Sequence, residues 1–165
     1  MKRLVKIGDY QTGKLNNICD VPGVLVGHFT INNEQNKTGI TTILPHSKNL
    51  FKEKVVAGSF VFNGFGKSVG LLQIEELGSI ESPILLTNTL SVGKVTDGLI
   101  SYMINQNKEI GVTTSTVNCA VFECNDGSIS FIHNRVIDET HVFEAIKNAN
   151  ENAEKIIEEA KKTAE

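Results

Sequence analysis

Pro83-Ile-Leu-Leu-Thr-Asn88, with the residues that follow it, decides the fold. The run is short, apolar and opened by proline, which reads as a buried strand. Thr89-Leu-Ser-Val-Gly93 then leads into a helix expected from about Val92 to Asn105, with Val95, Leu99 and Met103, and Ile100 and Tyr102 beside them, on one apolar face. A second strand is expected within Thr113-Thr-Ser-Thr-Val-Asn-Cys-Ala-Val-Phe-Glu-Cys-Asn-Asp-Gly127, which passes from β-branched and hydroxylated residues through an apolar run to Glu123, Asn125 and Asp126. Strand, helix, strand points to an α/β layered domain over a helical bundle or a pure β-sandwich.

That last stretch also carries the first chemical signal. Asn118 and Glu123 flank its apolar run as buried-looking polar groups. A carboxylate beside Val121, Phe122 and Cys124 loses hydration on burial, so folding tolerates it only where a cation or several donors compensate. A substrate ammonium is one such cation; an internal lysine or arginine is the other.

Outward from this centre, Asp20-Val-Pro-Gly23 is a turn, since proline presets φ at its second position and glycine accepts φ > 0 at its third. A polar segment precedes it. Strands are expected at Val24 to Ile31, at Gly39 to Pro45, and at Val55 to Phe62, the last covered on both faces. His28, alone between apolar neighbours, reads as a hydrogen-bonded structural residue before a ligand. Asn63-Gly-Phe-Gly-Lys-Ser68 lacks the glycine spacing of a phosphate loop, because Val61 stands where the first glycine belongs, and Val69 breaks the dinucleotide pattern. Its glycines suit a tight turn into a helix from about Ser68 to Leu77, capped by Gly78. Glu75 and Glu76 are adjacent on that helix, point apart, and form no catalytic pair. Asn125-Asp-Gly127 is a hairpin signal with a returning strand expected over Ser128 to Ile132. From about Glu139, Val142, Ile146, Ala149, Ala153, Ile156 and Ala160 recur at helical spacing, with Asp138 as N-cap.

A chain of 165 residues with 40% hydrophobic residues supports one core, so a single domain over 1–165 is expected. The formal charge of -3 with no basic patch argues against nucleic acid as a partner. Lys2, Arg3 and Lys6 are not followed by an apolar signal core, and no apolar run is long enough to span a membrane. A cytoplasmic protein is expected. Cys19, Cys119 and Cys124 lack metal or redox spacing and read as buried reduced thiols.

Six segments in order extend this reading: Asp20-Val-Pro-Gly-Val-Leu-Val-Gly-His28, Thr38-Gly-Ile-Thr-Thr-Ile-Leu-Pro-His46, Phe62-Asn-Gly-Phe-Gly-Lys67, Gly70-Leu-Leu-Gln-Ile-Glu-Glu-Leu-Gly78, Pro83 to Gly93, and Glu123-Cys-Asn-Asp-Gly127. Together the chain from about Asp20 to His141 resembles the P1 peptidases, the DmpA-type L-aminopeptidase/D-esterases and β-peptidyl aminopeptidases. The resemblance implies an α/β fold that is part of an αββα sandwich, similar to N-terminal-nucleophile hydrolases but differently connected, usually in a homo-oligomer. It implies release of N-terminal amino acids from peptides, amides or esters by a serine freed through self-cleavage, whose own amine serves as base. No metal and no organic cofactor is implied. Glu123 is expected to hold the substrate's free amine, with Asn88, Asn118 and Asn125 as further substrate-binding groups.

The resemblance leaves residues 150–165 outside it, as a helical tail, and no serine here has the context of the family's nucleophile. Catalytic residues are therefore expected from a separate serine-bearing chain, with a catalytically inactive relative that binds or supports as the alternative. Cys119 and Phe122 stand where the family usually has proline and glycine, and Ser128 where it has an aromatic residue. Phe122 is expected to narrow the space beside Glu123.

Overall fold

The computed structural model describes residues 8–164, with side chains as far as residue 152. Its opening turn is the one the sequence predicts: Val24 N–H donates to Val21 O at 3.1 Å, and Gly23 takes φ +89°. This turn launches β1 (Leu25–Asn32), which pairs antiparallel with β2 (Lys37–Leu44) from Leu25↔Leu44 to Asn32↔Lys37. β2 pairs antiparallel with β6 (Ile84–Thr87), and β6 pairs parallel with β7 (Ala120–Glu123). Parallel neighbours need a crossover. It is made through α2 (Val92–Gln106), so the expected strand, helix, strand unit is present.

β4 (Ser68–Val69) closes the five-stranded order β1-β2-β6-β7-β4. A small ribbon of β3 (Val55–Val56) with β5 (Ser79–Ile80) brackets α1 (Leu71–Leu77). The chain ends in α3 (Glu139–Ala164), where Asp138 Oδ1 accepts Thr140 N–H at 2.9 Å and acts as the expected cap. The expected apolar positions from Ala153 onward lie outside the described side chains.

Both long helices lie on one face of the sheet. Ile40, Leu85 and Val121 on that face form one buried cluster with Val92, Val95 and Leu99 of α2 and Val142 and Ile146 of α3. Each such side chain contributes about 1.5–3 kcal/mol by leaving water. α3 lies so close to β1 that a Cβ on Gly27 would stand 2.2 Å from Ala149 N. The opposite face is different. Val26, Ile43, Ile84, Leu86 and Phe122 are only half-buried and join neither buried cluster. The described chain is one helical layer on a five-stranded mixed sheet, plus the two-stranded β3-β5 ribbon.

Three expected elements differ. The strand predicted over Val55 to Phe62 ends at Val56, because its only partner, β5, is two residues long. Residues 57–67 are irregular, and Phe60 and Phe62 project into solvent. The helix predicted from Ser68 starts at Leu71, because Ser68 and Val69 pair with β7 and Gly70, at φ +97°, breaks the backbone between the two. Its end is as predicted, with Gly78 at φ +61° donating to Ile74 O. No returning strand follows Asn125-Asp-Gly127. β7 already has β6 on one side and β4 on the other, so a hairpin partner has no edge to join. The chain turns instead, with Ile129 N–H on Asp126 O at 2.9 Å, and forms a 3-10 turn at Ile132–Asn134.

Candidate functional site

The parallel pair β6 and β7 delivers two polar residues to one rim. Thr87 registers with Glu123, and Cys124 N–H donates to Thr87 O at 2.6 Å, so Asn88 and Glu123 leave adjacent carboxyl ends of the sheet. Such ends are where α/β sheets place ligands, because helix and loop starts diverge there and leave a crevice.

Glu123 is half-buried, and its Oε2 is shut from solvent with no hydrogen-bond partner among the described residues. Among the described residues no lysine or arginine forms an ion pair with it. Its backbone N–H donates to Lys67 O at 3.2 Å, which ties the strand end to the glycine loop. The glycine loop lies against the carboxylate, since a Cβ on Gly66 would be in ordinary contact with Glu123 Oε1 at 3.6 Å. Beside the carboxylate lies an open trough of about 730 Å³, lined by Phe60, Phe62, Phe65, Leu71 and Phe122. Phe122 and Glu123 both line this trough.

Asn88 is buried, and both ends of its side chain are engaged. Its Oδ1 caps the 3-10 turn before α2 by accepting Ser91 N–H at 3.1 Å, and its Nδ2 donates to Thr38 Oγ1 at 2.9 Å. Asn125 is exposed, and its Oδ1 accepts Gly127 N–H at 3.0 Å within the turn. Asp126 repeats the pattern of Glu123: its Oδ1 is buried and without a partner among the described residues. It faces a different hollow, of about 380 Å³ on the uncovered sheet face, shared with His28, Thr41, Leu86, Asn88 and Cys124.

Asn118 does not join this rim. It precedes β7, whereas Glu123 ends it, and a strand rises about 3.3 Å per residue, so the two are separated by the length of the strand. Glu81, a residue the sequence reading passed over, holds it there. Glu81 Oε1 accepts Asn118 N–H at 2.8 Å and Nδ2–H at 3.3 Å, and Oε2 pairs with Lys54 at 2.5 Å. The Glu81 side chain is 4% exposed. Burial alone would raise its pKa, but the bonds from Lys54 and Asn118 outweigh burial and hold it below the ordinary 4.5. The signal was an acid between Ile80 and the apolar Pro83 run, the same logic applied to Glu123. Its neighbour Cys119 is buried and pushed up to about 12, by burial and then by the Glu81 charge. Cys124, expected to be buried, is exposed, and Cys19 is half-buried.

Among the described residues no group of three or more His, Cys, Asp or Glu side chains is placed to hold a metal ion. No helix among them is long and apolar enough to cross a membrane.

A mixed sheet under one helical layer, with an acid at a strand end beside an apolar trough, defines an α/β domain. The chain belongs to peptidase family S58, whose profile matches residues 16–160. The β-peptidyl aminopeptidase BapA of Sphingosinicella xenopeptidilytica is 31% identical over 146 residues, covering 83% of this chain and 36% of that protein. Among solved structures, the PH0078 protein of Pyrococcus horikoshii OT3 matches with a TM-score of 0.83 and 50% identity over 87% of this chain and 43% of its own. The L-aminopeptidase D-Ala-esterase/amidase of Ochrobactrum anthropi, a variant of the Ntn hydrolase fold, matches with a TM-score of 0.74 and 28% identity over 86% of this chain and 42% of its own. The α/β fold is thus part of that αββα architecture. The chain spans well under half the length of each of these proteins.

Proposed function

We propose that this chain is the amine-binding part of an aminopeptidase, acting on peptides, amides or esters with a free N-terminal amine once a serine-bearing chain completes the site. One observation carries the reading. Glu123 holds a buried carboxylate oxygen that nothing in the described chain pairs, at a rim open to a trough, and a desolvated carboxylate is tolerated best where a cation meets it. The membership in family S58 and the likeness to aminopeptidases agree with an ammonium as that cation. Attack by a serine oxygen, a base to take its proton, and donors for the oxyanion act as one unit, so this chain alone has binding without turnover. Asn88 and Asn125 follow the same strand ends, but Asn88 is held by Ser91 and Thr38 and lines the other hollow, and Asn125 accepts within its own turn, so Glu123 carries the reading by itself. Asn118, held by Glu81 at the far end of β7, supports the strand.

The test is reconstitution. The purified chain is expected to leave an alanine anilide uncleaved and to form no adduct with a serine-reactive inhibitor. Mixing it with the serine-bearing half of a close relative is expected to restore turnover, and Glu123→Gln in the mixture to abolish most of it. Turnover by the chain alone, lost on changing one of its own serines, would overturn the proposal. Amine binding with no turnover in any mixture would make it a binding protein.

A further inference from the structure

Resting on the amine-binding reading of Glu123, we infer that the trough beside it is the side-chain subsite of the same ligand. It selects an N-terminal residue with a large apolar side chain, aromatic above small aliphatic, and disfavours a basic one.

The irregular loop 57–67 exposes Phe60, Phe62 and Phe65 by 86%, 89% and 80%, although phenylalanine is among the side chains most often buried. They do so beside an acid rather than scattered over the surface, and with Leu71 and Phe122 they line one continuous hollow. Its volume, about 730 Å³, lies in the range of small-molecule sites. An aromatic ring entering it meets the faces and edges of several phenyl groups, a geometry that favours rings over a methyl group.

Charge decides the rest. Among the described residues that line the trough, Glu123 is the one acid and Lys67 the one base. Lys67 Nζ donates to Phe65 O at 3.0 Å and lies 4.6 Å over the Phe65 ring, so the aromatic wall holds it and leaves Glu123 unpaired. An ammonium on the main chain of the ligand finds Glu123. A second cation, on a lysine or arginine side chain, meets Lys67 and no further carboxylate. The alternative occupant of exposed phenylalanines, a second copy of this chain, explains the apolar wall but leaves the buried Oε2 without a cation.

The experiment is an NMR titration of the whole chain with phenylalanine amide, alanine amide, lysine amide and N-acetyl-phenylalanine amide. Phenylalanine amide is expected to bind about tenfold more tightly than alanine amide, the discrimination an apolar pocket commonly reaches. Lysine amide is expected to bind no better than alanine amide, and the acetylated ligand not to bind. Phe62→Ser with Phe65→Ser, both on exposed side chains and so compatible with folding, should cut the phenylalanine-to-alanine preference several-fold. Lys67→Glu should raise the affinity for lysine amide. Equal binding of phenylalanine and alanine amides, with the acetylated ligand excluded, would overturn the subsite and leave the amine reading standing. Binding of the acetylated ligand as tight as the free amine, or no binding of any free amine, would remove both. If the double substitution altered only the concentration dependence of sedimentation, the loop would be a contact between copies and the inference would fail.

Discussion

At the scale of single residues, two acids divide the work of the chain. Among the described residues Glu123 has an oxygen without a partner, whereas Glu81 has every oxygen engaged. Removing the charge therefore has opposite consequences. Glu123→Gln is expected to keep or raise Tm, since it takes away an unpaired, partly buried charge. In a reconstituted enzyme it should raise KM roughly 10- to 100-fold, the equivalent of about 1.5–3 kcal/mol for a charge-assisted bond. A Tm lowered by several degrees with unchanged kinetics would mean an internal partner instead. Glu81→Gln is expected to cost roughly 1–3 kcal/mol, kept modest because Lys54 is half exposed. Because the folded pKa of Glu81 lies below its ordinary value, its contribution is present above the ordinary carboxylate range and is lost as pH falls through the folded value. Asp138 is lowered too, chiefly by the Thr140 hydroxyl, and adds the same sign. The wild-type Tm should thus fall at acid pH, and a pH series on Glu81→Gln should show a shallower decline. The thiols offer a separate check. Cys124 should react with a thiol reagent in the native protein, and Cys119, buried and pushed up to about 12, only on unfolding.

At the scale of elements, the contact of α3 with β1 is the most demanding. Gly27 lies under Ala145 and Ala149, and an added Cβ would stand 2.4 Å from Ala145 O and 2.2 Å from Ala149 N. Backbone, unlike a side-chain tip, cannot rotate away. Gly27→Ala should therefore displace the helix and cost about 3 kcal/mol, measured by denaturant unfolding. Gly58 is the control, since its Cβ would meet nothing within 4 Å. A Gly27→Ala protein as stable as the wild type would mean that α3 does not rest on β1 in solution. The sequence showed the helix through Val142, Ile146 and Ala149 but gave no sign of which strand it would cover.

At the scale of the whole molecule, the described residues dress the sheet on one side only. Val26, Ile43, Ile84, Leu86 and Phe122 lie half-buried on the other, β1 and β4 are edge strands, and Asp126 brings its unpartnered Oδ1 to the same side. Half-covered apolar faces and open edges favour association. The chain is expected to self-associate at micromolar concentration or to bind a serine-bearing half, and that half should protect the β2, β6 and β7 amides from hydrogen exchange. A monomer by sedimentation that gains no protection on mixing would show the uncovered face to be a finished surface.

What the sequence determined by itself is local or periodic. The turn at Pro22-Gly23, the β1 and β2 strands, the β6-α2-β7 unit, the Gly78 cap and the Asp138 cap follow from φ preferences, side-chain spacing and capping chemistry, all set within a few residues. The suspicion about Glu123 was legible too, because an acid in an apolar run conflicts with its own neighbours. Only the tertiary structure decided what depends on distant partners. The Val55 to Phe62 run became a loop because no long strand lay beside it, and the Ser128 to Ile132 strand failed because β4 and β6 had already taken both edges of β7. The same holds for the site. Asn118 and Glu123 flank one apolar run in sequence, yet an extended strand puts its two ends far apart, while pairing between β6 and β7 brings Asn88 beside Glu123 from across α2. Hydrogen bonds between strands are satisfied by whichever chain segment arrives, and nothing in a single stretch of residues states which one that will be.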